Sequence, residues 1–126
     1  MSEKISWTLN VQVEGGPSVS ASQSITVDAY DKIQVTVGTQ DTKTVEVQPG
    51  EADRVRFLLI SSDQFGDDLT YKVDAGGSDI KVDAQQLLIG DGAVGLLDAA
   101  PKTLTFTNNL AQDANIEILV GRMVTA

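Results

Sequence analysis

Arg54-Val55-Arg56-Phe57-Leu58-Leu59-Ile60-Ser61-Ser62 begins as an alternating strand and ends as an unbroken apolar run. At the period of a strand, Val55, Phe57 and Leu59 fall on one face, and Leu58 and Ile60 fall on the other. The second half of the stretch therefore has to be covered on both sides. That requirement places it in the middle of a sheet, with further structure above and below. The other apolar stretches of the chain are short enough to pack around it.

Working outward, the N-terminal side is rich in strand signals. Ile5, Trp7, Leu9, Val11 and Val13 alternate with Ser6, Thr8, Asn10, Gln12 and Glu14, and Gly15-Gly16-Pro17 ends the run. Val19, Ala21, Ile25 and Val27 share the parity of a second strand, with Gln23 interrupting that face, where a bulge or a switch of sheet is expected. Asp28 to Lys32 reads as a connection to a third strand carrying Ile33, Val35 and Val37. Gly38-Thr39-Gln40-Asp41 has the composition of a hairpin turn, with Val45 and Val47 on the return strand up to Pro49-Gly50.

On the C-terminal side, Ser61 to Asp68 is a polar loop, followed by a strand with Leu69, Tyr71 and Val73. Ala75-Gly76-Gly77-Ser78 turns the chain, and Ile80 and Val82 begin the return. Leu87, Leu88 and Ile89 form an apolar cluster that fits either a strand or a helical turn spanning Ala84 to Leu88. Gly90, Gly92 and Gly95 make the next segment a loop. Leu104 and Phe106 follow Pro101, Asn108-Asn109 starts a turn, and Ile116, Ile118 and Val120 line one face of the last strand. Lys72-Val73-Asp74-Ala75 is echoed by Lys81-Val82-Asp83-Ala84, which reads as a strand end followed by an Asp that opens a turn.

Short strands with turn signals about every 8–12 residues, and no apolar pattern at helical spacing, define an all-β chain. The expected fold is one antiparallel β-sandwich domain over residues 1–126, of about 8–9 short strands, jelly-roll-like or immunoglobulin-like, with little or no helix. A chain of 126 residues is long enough for one ordinary hydrophobic core.

Composition narrows the chemistry. There is no cysteine, so no disulfide, thiolate nucleophile or thiolate metal site. There is no histidine, which removes the commonest general base and zinc ligand. No enzyme activity and no cofactor are expected. The net charge of −9 disfavours nucleic acid and anionic membranes as partners. Met1-Ser2-Glu3-Lys4 leads straight into a strand pattern without an apolar signal core, so synthesis in the cytoplasm is expected.

Two sets of residues are candidates for a site. Loop carboxylates can supply the six to eight oxygens that calcium prefers, and Asp63, Asp67, Asp68 and Asp91 are the candidates, against the commoner use of such residues in turns. The other set concerns association. Leu119 and Met123 lie on the opposite parity from Ile116, Ile118 and Val120, so one face of the last strand meets the core and the other needs a neighbour. Leu119, Met123 and Val124 are therefore interface candidates, which implies a homo-oligomer. Arg54 and Arg56 stand out in an acidic chain, and either pair with Glu46 or Glu117 across the sheet or form a basic strip toward an acidic partner. Trp7, Phe57, Tyr71 and Phe106 belong to strand faces, whereas Tyr30 and Phe65 fall in connections and either mark an exposed contact or, as is commoner for such residues, cap the ends of the sandwich.

The segment Leu96-Leu97-Asp98-Ala99-Ala100-Pro101-Lys102-Thr103-Leu104-Thr105-Phe106-Thr107-Asn108 is similar to a late sandwich strand of small all-β virion accessory proteins of tailed phages. The chain resembles those capsid cement or decoration proteins in size, strand pattern and absence of a signal segment. The resemblance implies a non-enzymatic structural or assembly role in a virion or a large bacterial assembly, and assigns no individual residue a function. A ligand-binding sandwich, for calcium or carbohydrate, is the alternative.

Overall fold

In the computed structural model the described residues are 3–47, 55–74, 78–97 and 102–123. They form, in order, β1 (Glu3–Gln12), β2 (Ser18–Val27), β3 (Ala29–Val37), β4 (Asp41–Glu46), β5 (Val55–Ser62), β6 (Gly66–Val73), β7 (Ile80–Val82), β8 (Gln86–Ile89), the single turn α1 (Asp91–Val94), β9 (Thr103–Asn108) and β10 (Ala114–Arg122). Pro49-Gly50, Ala75-Gly76-Gly77 and Pro101 of the expected turns lie outside the described residues.

β1 and β2 pair only with each other. The other strands make two antiparallel four-stranded sheets, ordered β3-β10-β5-β8 and β4-β9-β6-β7. Apart from the β6–β7 hairpin, each connection from β3 onward crosses to the opposite sheet. This order is that of the jelly roll, in which two Greek keys wrap into a sandwich. The immunoglobulin-like alternative is excluded, because its two sheets group strands as ABED and CFG. The all-β sandwich expected from the sequence is what the chain adopts, and the strand order selects between its two forms.

β5 lies between β10 and β8, as the two-sided apolar pattern requires. Leu58 and Ile60 are fully buried between the sheets. One detail differs from strict alternation. Gly121 pairs with Phe57, while the next residue, Arg122, pairs with Val55. Arg56 is thus the extra residue of a bulge, and the bulge reverses parity below it. Val55 turns into the core with Leu58 and Ile60, while Phe57 stays outside that cluster and packs on the opposite face of the sheet.

Four other local expectations need correction. Gly38-Thr39-Gln40 does not close a hairpin, because β3 and β4 belong to different sheets. The turn is a corner between layers: Val37 and Val45 both face the shared core from opposite sides. Asn108 fixes this corner. Its amide nitrogen donates to Val37 O and Gln112 O at 2.9 Å each, its side-chain oxygen accepts from Leu110 N at 2.9 Å, and its carbonyl accepts from Gln40 N at 2.6 Å. Second, Leu87–Ile89 are in strand β8, paired to β5, and the helical turn is α1 instead. Third, Gln23 causes no bulge; it pairs in register with Trp7. Fourth, two connections shrink: the one expected at Asp28–Lys32 to Asp28, since β3 starts at Ala29, and the one expected at Ser61–Asp68 to residues 63–65, since β5 runs to Ser62 and β6 starts at Gly66.

The core is aliphatic with one aromatic pair. Tyr71 and Phe106 stack at 5.3 Å and both are fully buried. Burying a tyrosine requires a partner for its hydroxyl. Tyr71 donates to Gln86 Oε1 at 2.6 Å, and Gln86 in turn donates to Lys81 O at 2.7 Å. Asp74, in the left-handed region at φ 56°, ends β6 as the Lys-Val-Asp-Ala echo suggests. Its carboxylate accepts from Lys102 N and Thr103 N at 2.7 and 2.8 Å, tying the end of β6 to the start of β9.

Candidate functional site

The two outer faces of the sandwich differ in chemistry. On the β4 sheet, pairing aligns Thr42, Thr107, Thr70 and Lys81 in one row, and Thr44, Thr105 and Lys72 in the next. Thr44 and Thr105 hydroxyls lie 3.0 Å apart, and Lys72 reaches Asp79 at 3.9 Å. This is an ordinary solvated face of an antiparallel sheet.

The outer face of the β3 sheet is divided. Its first row is Tyr30, Gly121, Phe57 and Ile89, and its second is Lys32, Leu119, Leu59 and Leu87. A third row, Gln34, Glu117 and Ser61, is polar. The first row is covered by the base of the β1–β2 ribbon. Gly121 is the place of closest approach: a Cβ there would lie 2.7 Å from Ile5 Cδ1 and 3.1 Å from Val27 Cγ1. Only glycine lets the ribbon sit this close to the sheet. Val27 and Phe57 are buried as a result.

Beyond that base the ribbon loses its cover. The register pairs Ile5 with Ile25, Trp7 with Gln23, Leu9 with Ala21 and Val11 with Val19, so the odd-numbered residues of both strands share one face. Ile5, Trp7 and Ile25 are half-buried, whereas Leu9, Val11, Val13 and Val19 are 39, 51, 58 and 64% exposed. Exposure thus rises steadily toward the Gly15-Gly16 turn.

Leu119 lies where the ribbon base meets the second row. A depression of about 350 Å³ is bordered by Glu3, Lys4, Ile5, Tyr30 and Leu119. A neighbouring one of about 420 Å³ is bordered by Lys32, Leu59, Ser61, Glu117 and Leu119. Sharing Leu119, the two form a shallow trough with an apolar floor beside the ribbon.

The polar part of the same face is internally satisfied. Asn115 donates its backbone N–H and its side-chain amide to Asp63, each at 2.8 Å, and these bonds hold the Asp63 carboxyl below its usual range. Gln34 donates to Glu117 at 3.2 Å, and Lys32 approaches it at 3.3 Å; together they lower the Glu117 carboxyl. A depression of about 550 Å³ lies over Gln34, Ser61, Asp63, Asn115 and Glu117.

The calcium candidates are dispersed. Asp63 is bound to Asn115, Asp67 faces Lys81 at 3.8 Å, and the carbonyl of Asp68 accepts from Asn109 N at 2.9 Å. Asp91 starts α1, and its side chain lies outside the described residues. Among the described residues no three acidic side chains are grouped to hold a metal ion. Of the interface candidates, Leu119 lies on the outer face as its parity requires, and Met123 is half-buried just past β10. Arg56 is the bulge residue, while Arg54 and Val124 lie outside the described residues. Glu117, one of the acids expected opposite Arg54 and Arg56, is engaged by Lys32. Tyr30 lies within β3 and Phe65 in the connection between β5 and β6, and they are 53 and 37% exposed.

Sequence reasoning missed the ribbon as a separate element, reading its alternation as that of a core strand. A usable signal was present: residues 3–27 carry only Glu3, Lys4 and Glu14 as charges, so both paired strands lack the charged outer face of a sandwich strand. No family model and no curated protein matches this chain.

Proposed function

We propose that this protein is a non-enzymatic structural and assembly protein, a subunit that decorates or cements a larger particle of the phage-virion kind. The observation that carries this reading is the β1–β2 ribbon, whose apolar face is open to water beyond its base. A two-stranded ribbon on its own is marginally stable in water. Exposed apolar surface on a ribbon that already lacks support is surface kept for a contact. The division of the outer faces supports the same reading: one is a solvated threonine and lysine face, the other an apolar trough next to the ribbon. The absence of histidine and cysteine from the whole sequence is consistent with a role that requires no catalysis.

The test is to sediment the purified chain with phage particles produced without it, and to do the same with Val11→Asp/Val19→Asp. Saturable co-sedimentation that the double variant loses is the expected result. A chain that stays in the supernatant at every concentration refutes the proposal.

A ligand-binding role is the second reading, and the polar depression over Gln34, Ser61, Asp63, Asn115 and Glu117 is what favours it. A ligand that binds only the native state raises the melting temperature. On this reading, calcium or an oligosaccharide raises it, and Asp63→Asn abolishes the rise.

A further inference from the structure

We propose that the surface covering the ribbon is a second copy of this chain, and that two copies exchange ribbons. The exposed face of each β1–β2 ribbon lies in the Leu119 trough of the other copy. This inference names the first partner in the assembly proposed above and rests on that reading.

Each copy carries both halves of the contact. The donor half is the apolar ribbon face of Leu9, Val11, Val13 and Val19. The acceptor half is the second row of the outer sheet, Leu119, Leu59 and Leu87, with Leu87 38% exposed. Packing of ribbon on sheet is already realised within the chain one row away, where Ile5 and Val27 close over Gly121 and Phe57. A second ribbon in the trough continues that layer.

Charge permits the approach. The chain carries −9 overall, so two bodies repel, but residues 3–27 hold only Glu3, Lys4 and Glu14. The rim of the trough carries Lys4 and Lys32 beside Glu3 and Glu117, so its charges balance and add nothing to the repulsion.

Area decides between this arrangement and the simpler one, ribbon face against ribbon face. The exposed part of one ribbon face amounts to on the order of 300 Å². Two such faces in contact bury on the order of 600 Å², which is within the range of crystal-packing contacts and below that of specific interfaces. Reciprocal exchange about a two-fold axis makes two ribbon–sheet contacts and buries about 1,200 Å², which reaches the range of specific interfaces.

Sedimentation velocity of the full chain up to roughly millimolar concentration reads the outcome directly. Wild type is expected to be a dimer. Val11→Asp/Val19→Asp on the ribbon and Leu87→Asp on the sheet are each expected to sediment as monomers. These side chains are exposed, and an unchanged circular dichroism spectrum, with a melting curve that matches wild type at concentrations where both are monomers, shows that the fold persists. Mixing the two variants distinguishes the arrangement further. The ribbon of the Leu87→Asp copy and the sheet of the other restore one intact contact, so a mixed dimer is expected to reappear, at least tenfold weaker than wild type. A dimer lost only in the ribbon variant, with no recovery on mixing, refutes exchange in favour of ribbon-on-ribbon packing. A wild-type monomer that still co-sediments with particles refutes exchange and leaves the assembly reading standing. A monomer that binds no particle refutes both.

Discussion

Replacing Asn108 with alanine removes the polar junction that turns the chain from one sheet to the other. Asn108 is fully buried, and its side chain makes three hydrogen bonds at 2.9 Å, donating to Val37 O and Gln112 O and accepting from Leu110 N. Alanine leaves three backbone groups without that partner. Each such hydrogen bond contributes about 1 kcal/mol net, with a further cost where the orphaned group stays dry. The expected loss is therefore about 3 kcal/mol, or on the order of 10 °C in melting temperature for a domain of this size. Urea unfolding measures it: the midpoint falls while the slope is unchanged. Asn108→Asp sharpens the test. The carboxylate still accepts from Leu110 N, but its second oxygen now faces two carbonyl oxygens that previously accepted. The ionised form is disfavoured, so the folded-state pKa of the new carboxyl is raised. A raised pKa means that stability is greatest below the unfolded value and is lost as pH rises through the folded one. Asn108→Asp is thus more stable at acid pH than at neutral pH, relative to wild type. A loss below about 1 kcal/mol in Asn108→Ala, or the same pH profile in Asn108→Asp and wild type, refutes the assignment of Asn108 as the corner's fastening.

Tyr71→Phe leaves Gln86 without its donor at a part-buried site, and is expected to lower stability by about 1–2 kcal/mol in the same urea assay. Burial pushes the Tyr71 phenol up to about 12, so the stability tied to its protonated form is present below the ordinary value and lost as pH rises toward 12. Absorbance titration of the phenolates checks this. Asp63 and Glu117 have lowered carboxyls, so their contribution is present above the unfolded pKa and lost as pH falls through the folded value. Asp63→Asn and Glu117→Gln are expected to flatten the acid side of the melting-temperature profile. Gly121→Val drives a side chain into Ile5 and Val27 and prises the ribbon base from the sheet, at about 1–3 kcal/mol. Trp7 is the chain's one tryptophan and half-buried on the ribbon, so its emission is expected to shift to the red and to be quenched more readily by acrylamide.

Much of this architecture is legible in the sequence where one periodicity governs. Leu58 and Ile60 against Phe57 and Leu59 locate the interior strand, because a stretch apolar on both sides fits nowhere else. Leu119 is placed correctly on an outer face by parity alone. The failures share a cause: local signals do not say which layer a strand joins. Gly38-Thr39-Gln40 has the residues of a hairpin turn, yet the corner between sheets needs the same backbone freedom, with Gln40 at φ 63°. Only the distant Asn108 distinguishes the two. The bulge at Arg56 depends on its pairing with β10 and has no local sign, so strict alternation puts Val55 on the wrong face. The ribbon is hidden in the sequence for a related reason. Its alternation is that of a core strand, and only the low charge of its other face and its position ahead of the eight-stranded body mark it as separate. The acids that suggested calcium have other uses, which their local sequence does not show: Asp63 accepts from the distant Asn115, and Asp67 faces Lys81.

Hydrogen exchange followed by mass spectrometry at two protein concentrations bears most directly on the claim that the ribbon face exists to be covered. Peptides spanning Leu9–Val19, and those carrying Leu59, Leu87 and Leu119, are expected to slow together by roughly tenfold or more as concentration rises, while β4 and β9 peptides stay unchanged. Ribbon amides that exchange rapidly and equally at both concentrations would contradict it.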